Sequence, residues 1–303
     1  MTATAVVLRA LGVSDLLTAV PALRALRRHG LRLVLATPPE LTDLVELTGA
    51  VERVLPAGER EPLAWPPGPD LPPVPHIAVN MHGRGPMSHR LLRDLRPLRL
   101  WGYASGDEFP GGPTWHDDEH EVLRWCRLVE WYGVQADPED LTLPTPFTPN
   151  PAPRAVVIHP GVKDPRRAWP VERFAEVARA LWLEGLPVVV TGSRRERPTA
   201  LLVGTRALLP PPAVLAGRTS LRSLCALVSG ARLVISADTG IAHLATAYGV
   251  PSVVIFGPES PARWGPPPDR PRHQILWYGP DPADVPADDV LKAADAALAE
   301  AGR

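Results

Sequence analysis

Lysine is almost missing from this sequence: of 32 basic residues only Lys163 and Lys292 are lysine. Together with 39 prolines this is the mark of a GC-rich coding bias, so an arginine or a proline carries less information here and a loop lysine slightly more. Cysteine is equally scarce. Cys126 and Cys225 lie far apart and form no C-x-x-C pair, which argues against a disulfide framework or a zinc knuckle. Charge of one sign is lacking too, since 32 basic residues face 33 acidic ones for a net charge of -1. No global field draws nucleic acid or an anionic membrane, and no nucleic-acid partner is expected. No apolar run approaches the ~18 residues of a membrane span, so no transmembrane segment is expected. The first ten residues lack the basic start and cleavage site of a signal peptide, which makes a cytoplasmic location the expectation.

What is present is ample apolar material, 45% of 303 residues, enough for two domains of ordinary size. The first half alternates. An apolar run at 4–8 predicts a strand, the loop at 12–15 follows, and Leu16, Leu17, Val20, Leu23 and Leu26 recur at helical spacing. Pro21 sits inside that pattern, so the helix is expected to begin near it or to bend there. Strands are predicted at 31–36, 51–55 and 77–79, with helices at 40–47 and 119–132. Residues 62–75 are too proline-dense for either element. The proline-rich run 146–153 reads as a linker between an N-terminal domain (1–145) and a C-terminal one (154–280). In the second half, strands at 155–159, 188–191, 214–216, 233–236 and 252–256 alternate with helical patterns. This predicts parallel sheets covered on both faces, with ligands at the carboxyl ends of the strands. The closing segment 281–303 contains an amphipathic helix that could pack back on the first domain.

The loops at those strand ends hold the candidate chemistry. Ala237-Asp238-Thr239-Gly240 joins a buried strand to a helix containing His243, and free amides at that helix start could hold a phosphate; Asp238 could equally be a helix cap. HPGVKDPRRAWP (159–170) delivers Lys163, Arg166 and Arg167 to the same sheet edge, which suits a diphosphate or is simply a solvated basic loop. The segment 82–88, HGRGPMS, begins like G-x-G-x-x-G, but Ser88 takes the third glycine's place and Pro86 removes a donor. His116 and His120 could stand one turn apart as metal ligands, but Asp117, Asp118 and Glu119 between them fit an acidic helix start better. No metal site is expected.

These loops, with LGVSDLLTAVPALRAL (11–26), HPGVKDPRRAWPVERFAEVARAL (159–181), TGSRRE (191–196) and AGRTSLRSLCALVSGARLVISADTGIAHLATAYGVPSVVIFGP (216–258), resemble the family 9 glycosyltransferases, which include the bacterial heptosyltransferases. The resemblance implies an α/β fold of GT-B architecture: two Rossmann-like domains with parallel sheets facing across a cleft. It further implies an inverting, metal-independent enzyme with no cofactor. Its donor would be a nucleoside diphosphate sugar, an ADP-sugar favoured, and its acceptor a glycan or a small molecule. No Asp-x-Asp pair occurs in the sequence. By the same resemblance Asp15 is the base that deprotonates the acceptor hydroxyl. Gly161, Lys163 and Arg167 form the phosphate loop, Glu196 binds ribose, and Thr219 lines the base pocket. Asp238 holds sugar hydroxyls, Thr239 and Gly240 hold the diphosphate through their backbone, and His243 points to the donor or packs. Arg84, Ser88 and Arg90 belong to the acceptor side. Ser14 and Val162 depart from the family pattern, and Lys163 is read as a substitute phosphate ligand. A sugar-nucleotide epimerase of the same fold and a binding protein without turnover are the alternatives.

Overall fold

The computed structural model describes residues 2–302. The chain divides into two compact units between Leu141 and Thr142, and each has its own sheet. The first unit runs β1 (Thr4–Leu8), α1 (Val13–Arg28), β2 (Arg32–Thr37), α2 (Thr42–Thr48), β3 (Arg53–Pro56), β4 (Ile77–Asn80), α3 (Met87–Arg93), β5 (Arg99–Trp101) and α4 (Glu121–Trp131). Its five strands pair in parallel in the order β3-β2-β1-β4-β5. All five residues of β1 are buried, as expected of a central strand covered on both faces. The helix does not wait for Pro21. It starts at Val13 with the Leu16 amide on the Gly12 carbonyl at 3.1 Å, and Pro21 lies buried in its interior. The ring forfeits one backbone bond, a cost offset by the buried face of Leu16, Leu17, Val20, Leu23 and Leu26.

The second unit runs β6 (Val156–His159), α5 (Val171–Leu183), β7 (Val188–Val190), α6 (Arg197–Arg206), α7 (Leu221–Ser229), β8 (Leu233–Ala237), α8 (Gly240–Ala247), β9 (Ser252–Ile255), α9 (Pro261–Trp264), β10 (His273–Leu276) and α10 (Ala287–Ala301). These five strands are also parallel, in the order β10-β9-β8-β6-β7. The predicted strand at 214–216 is a correction: Val214 makes only a single bridge to Val190. Prolines 210–212 precede it and Gly217 turns the chain at φ +71° immediately after, which leaves no length for a ladder. The proline-rich run 146–153 is docked on this unit. Asn150 Nδ2 donates to the Ala226 carbonyl (2.9 Å), and on either side the Leu143 and Arg154 amides bond Ala247 (3.1 Å) and Gly230 (2.8 Å). The closing helix, expected to pack back on the first domain, places Val290, Ala294 and Ala297 in the core of the second. Trp169 Nε1 donates to the Val285 carbonyl just before it, at 2.9 Å.

Both sheets reverse direction of assembly once, between β1 and β4 and between β6 and β8. In an open parallel sheet the loops leaving the two strands at such a point splay apart and leave a crevice at their carboxyl ends. Those four loops begin at Arg9, Met81, Pro160 and Asp238. The loop after β6 contains every residue of the phosphate loop, and the loops after β1 and β4 lead into α1 and α3, whose first turns carry Asp15 and Ser88. Among the described residues no helix is long and apolar enough to cross a membrane.

Candidate active site

In the second unit the crevice between β6 and β8 is crossed by an ion pair. Arg167 Nη1 lies 3.0 Å from Asp238 Oδ2, joining the loop after β6 to the end of β8. Asp238 is held by its amide on the Ile255 carbonyl (3.0 Å) and its side chain is only 4% exposed. Burial pushes its carboxyl up to about 6, against the pull of the Arg167 guanidinium and helped by the nearby Glu259 carboxylate. Thr239 follows as the extended N-cap of α8. The Ala242 amide bonds the Thr239 carbonyl at 3.0 Å, so the first turn of α8 opens at Gly240 beside Asp238, with the partial positive charge of a helix start.

The neighbouring loops complete this edge. Glu196 Oε2 accepts from the Ser193 amide at 2.7 Å, and its carboxylate lies over Gly161, where an added Cβ would come within 2.4 Å of Glu196 Cδ. A side chain at 161 would therefore displace the Glu196 carboxylate. His159, half-buried and lowered in pKa by desolvation, shares a 2.9 Å hydrogen bond with Thr191 Oγ1 beneath this loop. Lys163 is exposed, and Thr219 is half-buried between Gly217 and Ser220, the residue that caps α7. His243 packs edge-on against Trp264, with ring centroids 6.1 Å apart. Arg166, grouped with Arg167 in the sequence, folds instead onto Asp164 at 2.7 Å and holds that carboxyl down at about 2.

In the first unit Asp15 lies in the first turn of α1. Its Oδ2 accepts from the Gly12 amide (3.0 Å), so it does cap the helix, but it also faces a buried arginine. Arg9, 2% exposed, places Nη2 3.3 Å from Asp15 Oδ1 and donates from Nε to the Asp15 carbonyl at 2.9 Å. The same guanidinium donates to the Met81 carbonyl (2.7 Å), lies 3.7 Å from Glu121 and stacks over Trp125 at 4.5 Å. One cation thus fixes both the backbone and the carboxylate of Asp15. Next to this loop is a cavity of about 210 Å³ lined in part by Leu11, Glu59, Arg60, His82, Arg84 and Ser88.

Of the three acceptor-side residues, Arg84 and Ser88 reach that cavity, whereas Arg90 is paired with Glu108 on the surface. Ser88 is buried and accepts from Asn80 Nδ2 at 2.9 Å. His120 Nδ1 accepts from the Val122 amide at the start of α4. No cluster of three or more His, Cys, Asp or Glu suited to a metal occurs among the described residues.

The sequence profile of glycosyltransferase family 9 (heptosyltransferase) matches residues 118–285, more than half of the chain. The chain belongs to this family. Lipopolysaccharide heptosyltransferase 2 of Escherichia coli K12 is 31% identical over 189 residues, which are 59% of this chain and 53% of that protein. The chain spans about half or less of the length of the curated relatives it matches. Among solved structures, E. coli ADP-heptose lps heptosyltransferase II superposes with a TM-score of 0.76 at 18% identity, covering 99% of this chain and 100% of that one. The iron-containing dodecameric glycosyltransferase TibC of enterotoxigenic E. coli gives 0.57 at 17% identity, over 91% of this chain and 65% of that one. The fold of this family 9 member is GT-B, with two parallel α/β units.

Sequence reasoning missed Arg9, Glu121, Glu259 and Arg263. The first two are ordinary positions of a strand end and a helix start, and only folding brings them together. The loop 257–265 follows the predicted strand at 252–256, but the charges in PESPAR are indistinguishable in sequence from those of a solvated turn.

Proposed function

We propose that this family 9 protein transfers a sugar, heptose or a related hexose, from a nucleoside diphosphate donor to an acceptor hydroxyl with inversion. The observation that carries this reading is the Arg167–Asp238 pair across the β6/β8 crevice beside the start of α8. It supplies a guanidinium, a sugar-binding carboxylate and helix amides at one sheet edge, which are the groups a sugar diphosphate needs. ADP-heptose is the donor class favoured, because the E. coli relative with this fold is described by that name. Glu196 is assigned to the ribose, Thr219 to the base pocket, Gly161 and Lys163 to the phosphate loop, and Thr239 and Gly240 to the diphosphate. His243 supports the donor edge through Trp264.

Asp15 is assigned as the base. It accepts the acceptor hydroxyl proton as the oxygen attacks the anomeric carbon, while the bond to the diphosphate breaks on the opposite face. Charge growing on the leaving group is met by Arg167, Lys163 and the amides of α8, an arrangement that stabilises it without a divalent ion. Arg84 and Ser88 contact the acceptor, a glycan or small molecule; Arg90 joins them if its Glu108 partner is exchanged. The test is turnover with ADP-heptose and candidate acceptors in EDTA. Acceptor-dependent ADP release that survives chelation is expected. Conversion of the donor alone into an isomer would establish an epimerase instead, and activity that returned only with iron, magnesium or manganese would overturn metal independence.

A further inference from the structure

Arg167 has a second carboxylate partner beyond Asp238. Its Nη2 lies 3.4 Å from Glu259 Oε1, and the other oxygen of the same carboxylate lies 3.5 Å from Arg263 Nη1. One carboxylate thus bridges two guanidinium groups. Both residues lie in and just after the loop leaving β9, whose register with β8 sets Ala237 opposite Ile255; that loop therefore leaves the sheet beside Asp238 and the start of α8.

The bridge is loose where an anion seat should be tight. Charge-assisted contacts of this kind usually lie at 2.7–2.9 Å, so neither Glu259 contact is a full one. Arg167 Nε, on the same guanidinium edge as Nη2, is buried and has no hydrogen-bond partner. A fork able to bind two oxygens is engaged at one tooth only. The other end of Arg167 is anchored by Asp238 at 3.0 Å, so the fork's orientation is fixed. Arg167, Glu259 and Arg263 each retain 28–32% side-chain exposure and are within reach of a ligand.

We propose that Arg167 and Arg263 form a seat for a donor phosphate, that Glu259 fills it as a displaceable internal anion, and that Arg263 is a second phosphate ligand. A phosphate is tetrahedral and carries more acceptor oxygens than a carboxylate. It can meet Arg167 through Nε and Nη2 while also reaching Arg263, which Glu259 cannot do with two coplanar oxygens. Its entry also carries the Glu259 charge away from Asp238, whose ionisation Glu259 opposes. Glu259 consequently sets a threshold: donor must outcompete a tethered carboxylate, so affinity is lower than the two arginines alone would give.

The proposal rests on the nucleotide-sugar reading above, and calorimetric titration of the full chain with ADP and with inorganic pyrophosphate separates the two. Glu259→Gln removes the competing charge and should tighten both ligands roughly three- to tenfold, the worth of a partly exposed ion pair plus its charge. Arg263→Ala should weaken both by about tenfold, and in the double variant the gain from Glu259→Gln should largely vanish. Glu259→Ala gives the same readout if the glutamine variant fails to fold. If ADP binds and Arg167→Ala abolishes it, but the Glu259 and Arg263 variants match wild type, the seat is refuted and the function stands. Pyrophosphate binding with these effects, without ADP binding, would leave the seat and remove the nucleotide reading. Binding of neither ligand removes both.

Discussion

Asp15 keeps 24% of its side chain exposed, whereas Asp238 keeps 4%, a difference in keeping with the proposed roles of proton acceptor and fixed anchor. Asp15 meets solvent on one side and Arg9 on the other. Asp15→Asn keeps the acceptor oxygen for the Gly12 amide, and Arg9 retains Glu121 and the Asp15 carbonyl. A near-native melting temperature and unchanged ADP affinity are expected, with turnover lowered about 10²- to 10⁴-fold, the usual share of a general base. Near-normal turnover would leave Asp15 as a cap alone. Asp238 carries the opposite signature. Its carboxyl titrates at about 6 in the fold against 3.8 for the free side chain, so folding favours the protonated form. The stability it contributes is full below about pH 3.8 and is lost as pH rises through 6. Asp238→Asn removes that loss while keeping an oxygen for Arg167. At pH 8 the variant should be more stable by roughly 1–3 kcal/mol, with the difference shrinking towards pH 4, and should transfer sugar poorly. Urea melts at the two pH values check the sign; a variant less stable at pH 8 would mean that the Arg167 ion pair outweighs the burial cost.

At the scale of elements, strand ends place these side chains and small residues allow the loops to close. Gly161 illustrates this, because the Glu196 carboxylate occupies the space its side chain would need. Gly161→Ala would push only the far end of a flexible side chain, so the fold should survive. Glu196 would, however, leave the Ser193 amide and its place at the proposed ribose. ADP affinity should fall by roughly tenfold, the worth of a hydrogen bond to a charged group, while pyrophosphate affinity stays level; equal losses for both would assign Glu196 to the phosphates. Such elements were legible in the sequence to different degrees. β1, β6, β8 and β9 are short, predominantly apolar runs and read directly. β5 and β10 did not, because RLW is three residues long and HQIL is mixed in polarity and sits beyond a proline-rich loop, so only pairing along an existing edge makes them strands. Residues 214–216 erred the other way, an apolar run too short for a ladder. Arg167 and Asp238 were legible as members of two loops; that they meet at 3.0 Å depends on the β6/β8 register. The Arg9–Asp15–Glu121 cluster is tertiary throughout: arginine is so common in this chain that a buried one leaves no trace in composition.

For the whole molecule, the division between Leu141 and Thr142 has a functional corollary. Every residue assigned to the donor, from Gly161 to His243, lies in the second unit, as do Glu259 and Arg263. That unit has its own five-stranded sheet and a core running from Val156 through α5 to α10. The run 142–153 is docked on it through Leu143 and Asn150, so a cut after residue 153 would strip these bonds. A chain of residues 142–303 should fold cooperatively and bind ADP within about tenfold of the full protein, whereas a chain of residues 1–141 should bind none. Ligand that binds only the folded form raises the melting temperature by mass action, so a thermal-shift titration of both fragments provides the measurement. The second fragment should nevertheless transfer no sugar, since the proposed base Asp15 is on the other. Adding residues 1–141 in trans tests whether the units cooperate without a covalent link. ADP binding by the first fragment alone would reassign the donor site and, with it, the roles of Arg167 and Asp238.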